Sequence, residues 1–298
     1  MERRNVEFDS DQGKVRGWWY AGCGRGARPV IVMAHGFSGV KEQYMDRYAE
    51  AFASAGLSVL VFDQPHFGAS DGLPRYEVDP ERQIRAYRDA VTFAVLQPDV
   101  DPGRVGVWGT SFSGGHALHV AATDRRVRCV VAQTPTTDGQ QAALRRTPAH
   151  LMPGLLKKLA EDRAARSRGE SPAMVPVTSD RAEVSCALAG AEAHRFFAET
   201  ADTAPSWSNQ VTLRSTEYSR SYVPSALIDR ISPTPLLMIV ADQDQVTPVD
   251  LQLEAYGRAR EPKELRMIQG GHFTPYVTHF AETSAAAADW FSSHLGLG

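Results

Sequence analysis

The feature that most constrains the fold is a set of short apolar runs, rich in β-branched residues, that alternate with helical patterns along the chain. The runs have the length of buried strands, and the stretches between them are long enough to carry crossover helices. This alternation predicts an α/β fold with a mostly parallel sheet of about eight strands, flanked by helices on both faces. The clearest predicted strands are residues 29–34, 57–62, 104–108, 127–132, 236–241 and 265–268.

Local signals add a hairpin near the N-terminus and define two of the helices. Residues 5–8 and 14–20 flank a polar turn, which predicts an antiparallel hairpin at the edge of the sheet. Asp79 followed by Pro80 is typical of a helix N-terminus, because the aspartate caps the helix and proline suits its first turn. A last helix is predicted over about residues 278–294.

The alternation of strands and helices stops after Thr134 and resumes only at Pro235. An interval of roughly 100 residues is far longer than an ordinary loop, so it must contain structure of its own. Helical patterns over residues 155–166 and 184–199 predict a helical cap inserted into the sheet domain. We therefore expect a core domain made of residues 1–135 and 234–298 and a cap, or lid, made of residues 136–233.

Composition narrows the class of partner. The 298 residues are 43% hydrophobic and 22% charged, and the formal net charge is -3. Nucleic acids and anionic membranes attract basic surfaces, so neither is expected as a partner. The first 12 residues lack the apolar core of a signal peptide, and no stretch approaches the length of a membrane span. We expect a cytoplasmic protein.

The three cysteines, Cys23, Cys129 and Cys186, are far apart in the chain and form no Cys-x-x-Cys pair. Their spacing indicates free thiols in a reducing compartment and no metal or redox site. Cys129 lies within an apolar run, where a buried small side chain is a better interpretation than a nucleophile.

The sharpest sign of chemistry is the sequence GTSFSGG at residues 109–115, which follows a predicted strand and precedes a helical pattern. A strand that turns abruptly into a helix strains the residue at the apex and requires small neighbours. Ser111 at that apex would expose its hydroxyl at the N-terminus of the helix, where backbone N–H groups stabilise an oxyanion. Taken alone, the same letters also suit a glycine- and serine-rich turn without chemistry.

Two further residues favour the catalytic interpretation. Asp244 and His272 each follow a predicted strand, and serine, acid and histidine occur in that order along the chain. Because the carboxyl ends of parallel strands lie at one edge of the sheet, we expect the three side chains to meet there. A serine hydroxyl needs a base, and the base needs a group that fixes its tautomer. The predicted catalytic residues are therefore Ser111, His272 and Asp244.

Each of these assignments has a competitor nearby. Asp242 is only two residues from Asp244, but it lies at the strand end and has no proline four residues later. Ser113 occupies the position where the common motif has glycine, and it would point away from the apex, so Ser111 is preferred as the nucleophile.

The sequence also predicts where an oxyanion would be stabilised. The loop after the strand at residues 29–34 begins His35-Gly36-Phe37. The backbone N–H of Phe37, together with that of Phe112 beside the nucleophile, would supply the usual pair of donors. His35 is expected to brace this loop, and the turn at residues 63–70 is expected to be structural.

These motifs together resemble those of the α/β-hydrolase fold superfamily over nearly the whole chain. Within it, residues 108–115 and 233–248 are similar to the capped esterases and thioesterase-like enzymes found beside bacterial and fungal polyketide pathways. The resemblance implies a serine hydrolase that cleaves an ester or thioester through an acyl-enzyme, without cofactor or metal. Acyl transfer or acyl elimination by the same triad is the alternative.

The substrate is left open by the sequence. Aromatic residues of the cap region suggest a mostly apolar pocket for a medium or large acyl compound, although they would equally serve to pack the cap on the sheet. The surface of a cap can also serve as a contact in a homodimer. A different class, a receptor-like protein that only binds ligand, is disfavoured because such a protein has no need of an intact triad.

Overall fold

The computed structural model describes residues 3–296 except residues 12, 25 and 182. Its strands in chain order are β1 (Arg3–Ser10), β2 (Gly13–Tyr20), β3 (Arg28–Ala34), β4 (Ser58–Phe62), β5 (Val100–Thr110), β6 (Val127–Gln133), β7 (Met174–Val175), β8 (Val211–Thr212), β9 (Leu236–Ala241) and β10 (Lys263–Ile268). Its α-helices are α1 (Met45–Ser54), α2 (Pro80–Val95), α3 (Phe112–Thr123), α4 (Gly139–Arg146), α5 (Met152–Ser167), α6 (Ala191–Glu199), α7 (Leu213–Arg220), α8 (Val249–Arg258) and α9 (Phe280–Leu295).

Eight of the strands form one sheet in the order β1-β2-β4-β3-β5-β6-β9-β10. The first two strands form the predicted antiparallel hairpin, and β2 is antiparallel to β4. All pairings from β4 to β10 are parallel. The prediction of a mostly parallel α/β sheet of about eight strands is confirmed. Parallel pairing brings the carboxyl ends of β5, β9 and β10 to one edge of the sheet.

Helices cover both faces of this sheet. On one face α1 packs with α9, and on the other α2 packs with α3. Successive residues of β5 point to opposite faces of the sheet. Trp108 packs on Tyr48 of α1 at 4.8 Å between ring centroids, whereas Gly109 contacts the backbone of α3. Burial of such aromatic side chains contributes about 1.5–3 kcal/mol each to the free energy of unfolding.

The long interval between β6 and β9 contains α4 to α7, the small two-stranded sheet β7–β8 and short 3₁₀ turns. We refer to residues 136–233 as the inserted segment. The helix predicted over 155–166 is present within α5, but the prediction over 184–199 is wrong for its first seven residues. Gly190 has a φ of 120°, and the N–H groups of Ala187 and Leu188 donate to carbonyls of residues 176 and 177 instead of forming helix.

The inserted segment is tied to the rest of the chain by hydrogen bonds in which its buried side chains take part. Gln43 Nε2 donates to Thr200 Oγ1 at 2.9 Å, and Ser215 Oγ accepts the N–H of Val78 at 2.8 Å. Within the described part of the chain, no helix is both long enough and apolar enough to cross a membrane.

Candidate active site

Ser111 lies at the sharp turn between β5 and α3, with a φ of 55° and a ψ of -119°. A side chain at Gly109 would overlap the carbonyl oxygen of Ser113, and one at Gly114 would lie 2.9 Å from the Cα of Pro135. Gly109 therefore allows β5 to approach α3 closely, and Gly114 allows α3 to pack against the chain that follows β6. The turn holds the hydroxyl of Ser111 at the N-terminus of α3, as the sequence predicts.

His272 follows β10 and is buried against Ser111. Its Nε2 lies 2.9 Å from Ser111 Oγ, and its Nδ1 lies 2.7 Å from Asp244 Oδ2. Because a carboxylate only accepts hydrogen bonds, the proton of a neutral imidazole belongs on Nδ1, which leaves Nε2 free to accept from the serine hydroxyl. The structure thus brings the three predicted catalytic side chains into one hydrogen-bonded chain.

The carboxylate of Asp244 is held by several donors besides His272. Oδ1 accepts the backbone N–H groups of Val246 and Thr247, each at 2.9 Å. Oδ2 accepts the hydroxyl of Thr247 at 2.7 Å and the amide of Gln252 at 3.1 Å. This network fixes the direction in which the carboxylate faces the imidazole.

Sequence reasoning missed Thr247 and Gln252. A signal for the first was available, because a Thr three residues after an Asp can complete a local side-chain turn. Gln252 lies within α8, where no pattern marks it. Its amide nitrogen also donates to the backbone carbonyl of Thr247 and is completely buried.

Asp242, the competing acid, has different surroundings. Its side chain is exposed, and its Oδ1 accepts the N–H of Gly270 at 2.8 Å. That bond joins the two loops that follow β9 and β10. Of the two aspartates, Asp244 is the one that contacts His272.

The loop at His35-Gly36-Phe37 passes directly against Ser111. A side chain at Gly36 would lie 2.9 Å from Ser111 Cβ, and the rings of Phe37 and Phe112 meet edge to face at 5.6 Å. Among the described residues, neither Phe37 nor Phe112 donates its N–H to a backbone carbonyl outside a helix or strand. Phe112 directly follows Ser111, and Phe37 lies one residue beyond the glycine that packs on Ser111.

His35 holds this loop through hydrogen bonds of both its ring nitrogens. Burial lowers the pKa of His35, so its imidazole is neutral at pH 7. Nε2 accepts the N–H of Gln64 at 3.0 Å, and Nδ1 donates to the carbonyl of Gly36 at 2.9 Å. The arrangement is the structural role that the sequence predicts for His35.

A small cavity opens onto Ser111 and His272. Its volume is about 30 Å³, which is room for one or two water molecules. Two of its polar side chains already have hydrogen-bond partners, since Gln43 is hydrogen-bonded to Thr200 and the hydroxyl of Tyr276 to Thr110. The remaining lining is apolar and comes from both the sheet domain and the inserted segment: Phe37, Met45, Leu188, Phe196, Phe197 and Phe273.

The structure offers no group of three or more His, Cys, Asp or Glu side chains able to hold a metal ion among the residues that it describes. Cys23, Cys129 and Cys186 are free thiols. Burial raises the pKa of Cys129, in keeping with its interpretation as a packed apolar side chain.

The comparison with known families decides which class of protein carries this site. A family model described as the α/β hydrolase fold matches residues 29–277. The chain belongs to the α/β-hydrolase family. This membership confirms the resemblance that the sequence motifs indicate, and it supports a hydrolase-like enzyme.

Several relatives of this α/β-hydrolase have names that describe acyl chemistry. Thiohydrolase aneE of Aspergillus aculeatus is 35% identical over 275 residues, which cover 89% of this chain and 84% of that protein. Polyketide transferase grgF of a Penicillium species is 31% identical over 91% of this chain and 90% of that protein. The crystal structure of α/β hydrolase GrgF from Penicillium sp. sh18 has a TM-score of 0.86 at 28% identity and covers 99% of both chains.

Proposed function

We propose that this α/β-hydrolase is a serine hydrolase that cleaves an ester or thioester of a medium or large, mostly apolar acyl compound. The observation that carries the proposal is the continuous chain of hydrogen bonds from Asp244 through His272 to Ser111, at 2.7 and 2.9 Å. Such a chain is what turns an unreactive hydroxyl into a nucleophile.

The reaction proceeds in two halves. Ser111 Oγ attacks the acyl carbon while its proton passes to His272 Nε2, and the N–H groups of Phe37 and Phe112 stabilise the oxyanion. The protonated imidazole then gives its proton to the departing alcohol or thiol, which leaves an acyl-enzyme. Water, deprotonated by His272, attacks the same carbon, and the acid is released with Ser111 restored.

The cavity and the relatives support the proposed substrate class. The apolar walls beside Ser111 suit a hydrocarbon or polyketide-like acyl group and offer no free charged partner to it. The name thiohydrolase, which three relatives carry, favours a thioester as the bond that is cleaved. We propose that the inserted segment, residues 136–233, is the cap that covers this acyl group, and that the physiological partner is the small-molecule substrate.

Acyl transfer is the second candidate, because relatives of this chain are named polyketide transferase and acyltransferase. In transfer, a hydroxyl or amine of an acceptor replaces water in the second half of the reaction. A cap that closes over the apolar cavity would favour this outcome by excluding water from the acyl-enzyme.

The test is covalent labelling by a fluorophosphonate, which reacts only with an activated serine. Intact mass is measured for the wild type and for Ser111→Ala after exposure to the reagent. Labelling of the wild type alone is the expected result, and labelling of neither folded protein would overturn the proposal in favour of a ligand-binding role. Labelling of both proteins would show that another residue is the nucleophile.

A second measurement separates hydrolysis from transfer. The wild type is given acyl thioesters of increasing chain length, with and without an added alcohol or amine acceptor. Hydrolysis predicts free acid as the main product in both reactions, whereas transfer predicts that the acylated acceptor replaces the acid as acceptor concentration rises.

A further inference from the structure

We infer that Glu192 is a positioning residue that couples α6 of the inserted segment to His272, an inference that rests on the proposed function. Glu192 is the second residue of α6, and its Oε1 accepts the backbone N–H of Phe273 at 2.9 Å. Phe273 directly follows His272 in the chain. A carboxylate from the inserted segment is therefore bonded to the loop that carries the predicted catalytic base.

Gly271 shows how closely the carboxylate packs on this loop. A Cβ added to Gly271 would lie 2.5 Å from Oε1 of Glu192 and 2.7 Å from its Cδ and Oε2. The glycine just before His272 therefore provides the space that Glu192 occupies. Gly271 has no left-handed φ, so its conformation alone would tolerate a side chain.

The side chain of Phe273 is held by the same helix. Its ring stacks on Phe196 of α6 at 4.3 Å between centroids and an interplanar angle of 24°. The residue after His272 is thus fixed by α6 at its backbone and at its ring. The orientation of the peptide between residues 272 and 273 sets the ψ angle of His272. Because the contacts with α6 hold this peptide, they restrict movement of the backbone that carries the imidazole.

Substrate entry must disturb these contacts. The cavity of about 30 Å³ has room for one or two water molecules, which is too little for a medium or large acyl chain. Leu188, Phe196 and Phe197 form much of the wall, and two of them lie on α6. Displacement of α6 admits the substrate, and its return through Glu192 and Phe196 restores the position of Phe273 and hence of His272.

The first test compares kcat and KM of the full-length wild type, Glu192→Ala and Glu192→Gln on p-nitrophenyl butyrate. Loss of a charge-assisted hydrogen bond predicts that Glu192→Ala lowers kcat by roughly three- to tenfold. Its KM should change less than about twofold, since Glu192 does not line the cavity. Glu192→Gln should retain most of the activity because an amide oxygen also accepts from an N–H.

Glu199→Ala is the matched control, because Glu199 is exposed at the opposite end of α6 and the substitution removes the same charge. It should leave kcat unchanged. Thermal unfolding of each variant establishes that it is folded at the assay temperature. A kcat for Glu192→Ala equal to that of the wild type, or a rise in KM alone, would overturn the inference.

A double-mutant cycle tests the coupling directly. Gly271→Ala should displace the flexible carboxylate of Glu192 and lower kcat in the wild type. In the Glu192→Ala background the same substitution should cost little, because the contact is already absent. Additive losses from the two substitutions would overturn the inference.

These outcomes are distinct from failure of the proposed function. If a fluorophosphonate labels the wild type at Ser111 and Glu192→Ala is as active as the wild type, the inference fails and the proposed function stands. If the wild type is not labelled at all, both fail.

Discussion

Two aspartates follow β9 within three residues, and they differ in what their side chains bond to. Asp244 is buried and bonded to His272, whereas Asp242 is exposed and bonded to the N–H of Gly270. Replacing a catalytic carboxylate by an amide of the same shape tests whether it fixes the histidine tautomer. The two positions therefore provide a matched comparison.

We expect Asp244→Asn to lower kcat/KM for an activated ester by about 10³–10⁴-fold, because an amide favours the wrong imidazole tautomer. Asp242→Asn should change it by less than about threefold, since that side chain does not contact the imidazole. Steady-state kinetics on both purified variants check the ranking. A larger loss from Asp242→Asn would mean that the acid has been assigned to the wrong residue.

Ser113 is the second hydroxyl of the turn, and the structure directs it away from His272. It is buried, and its Oγ accepts the side-chain amide of Gln64 at a long 3.4 Å. We expect Ser113→Ala to keep kcat within about threefold of the wild type and to cost about 1 kcal/mol of stability from the lost bond. Kinetics and urea unfolding check both values. Inactivation as complete as that of Ser111→Ala would contradict this prediction.

The positions of Ser111, Asp244 and His272 could be predicted because each follows a strand that its apolar pattern reveals. The partners of Asp244 could not be predicted as readily. Gln252 reaches the carboxylate from α8 only because the loop at residues 242–248 folds back on that helix. A sequence pattern records the period of a helix but not which of its polar residues faces a neighbouring loop.

The sequence predicts helices well where the local signal and the tertiary environment agree. Asp79 caps α2 through two N–H groups, as its sequence predicts, and Pro80 is the first helical residue. Residues 184–190 fail to form helix because the backbone finds partners at residues 176 and 177. Those partners lie eleven residues earlier in the chain, and the helical period of residues 184–199 does not indicate them.

The helix α6 contributes Phe196 and Phe197 to the wall of the cavity. Shortening Phe197 tests whether this wall limits the length of the acyl group. Phe197 lines the cavity, is almost fully buried and stacks on Trp207 at 4.9 Å. Phe197→Ala should enlarge the acyl site, so we expect the ratio of kcat/KM for a dodecanoyl over a butanoyl ester to rise by about tenfold.

The control for that experiment is Phe93→Ala. Phe93 stacks on Phe8 at 5.3 Å in a different part of the core, so its removal loosens packing without enlarging the cavity. The chain-length ratio of this variant should equal that of the wild type. A similar rise in both variants would attribute the effect to general destabilisation.

For the whole molecule, the buried His116 links three parts of the chain. Its Nδ1 accepts the hydroxyl of Tyr222 from the inserted segment at 2.7 Å, and its Nε2 donates to Gln83 of α2 at 2.9 Å. Complete burial lowers the pKa of His116 to about 3, below its ordinary value of 6.5. The unfolded chain therefore binds a proton at mildly acidic pH that the folded chain rejects.

This difference makes the free energy of unfolding decrease as the pH is lowered below about 6.5. The contribution of His116 is complete above pH 6.5 and is lost as pH falls toward about 3. His116→Gln should be less stable at pH 7.5, and its stability should fall less steeply below pH 6.5, by up to about 1.4 kcal/mol per pH unit. Urea unfolding between pH 7.5 and 4.5 measures both slopes. Parallel slopes would show that His116 does not carry the effect.

The strand that delivers Ser111 lies between β3 and β6, in the interior of the sheet, whereas the wall of the cavity belongs partly to α6. Opening of an interior strand requires disruption of the whole sheet, but a short surface helix can detach in a local fluctuation. The two parts of the site therefore change conformation on different timescales. Ser111, the proposed nucleophile, keeps its geometry for as long as the protein is folded, whereas the part of the wall formed by α6 can open on the faster timescale of local motion.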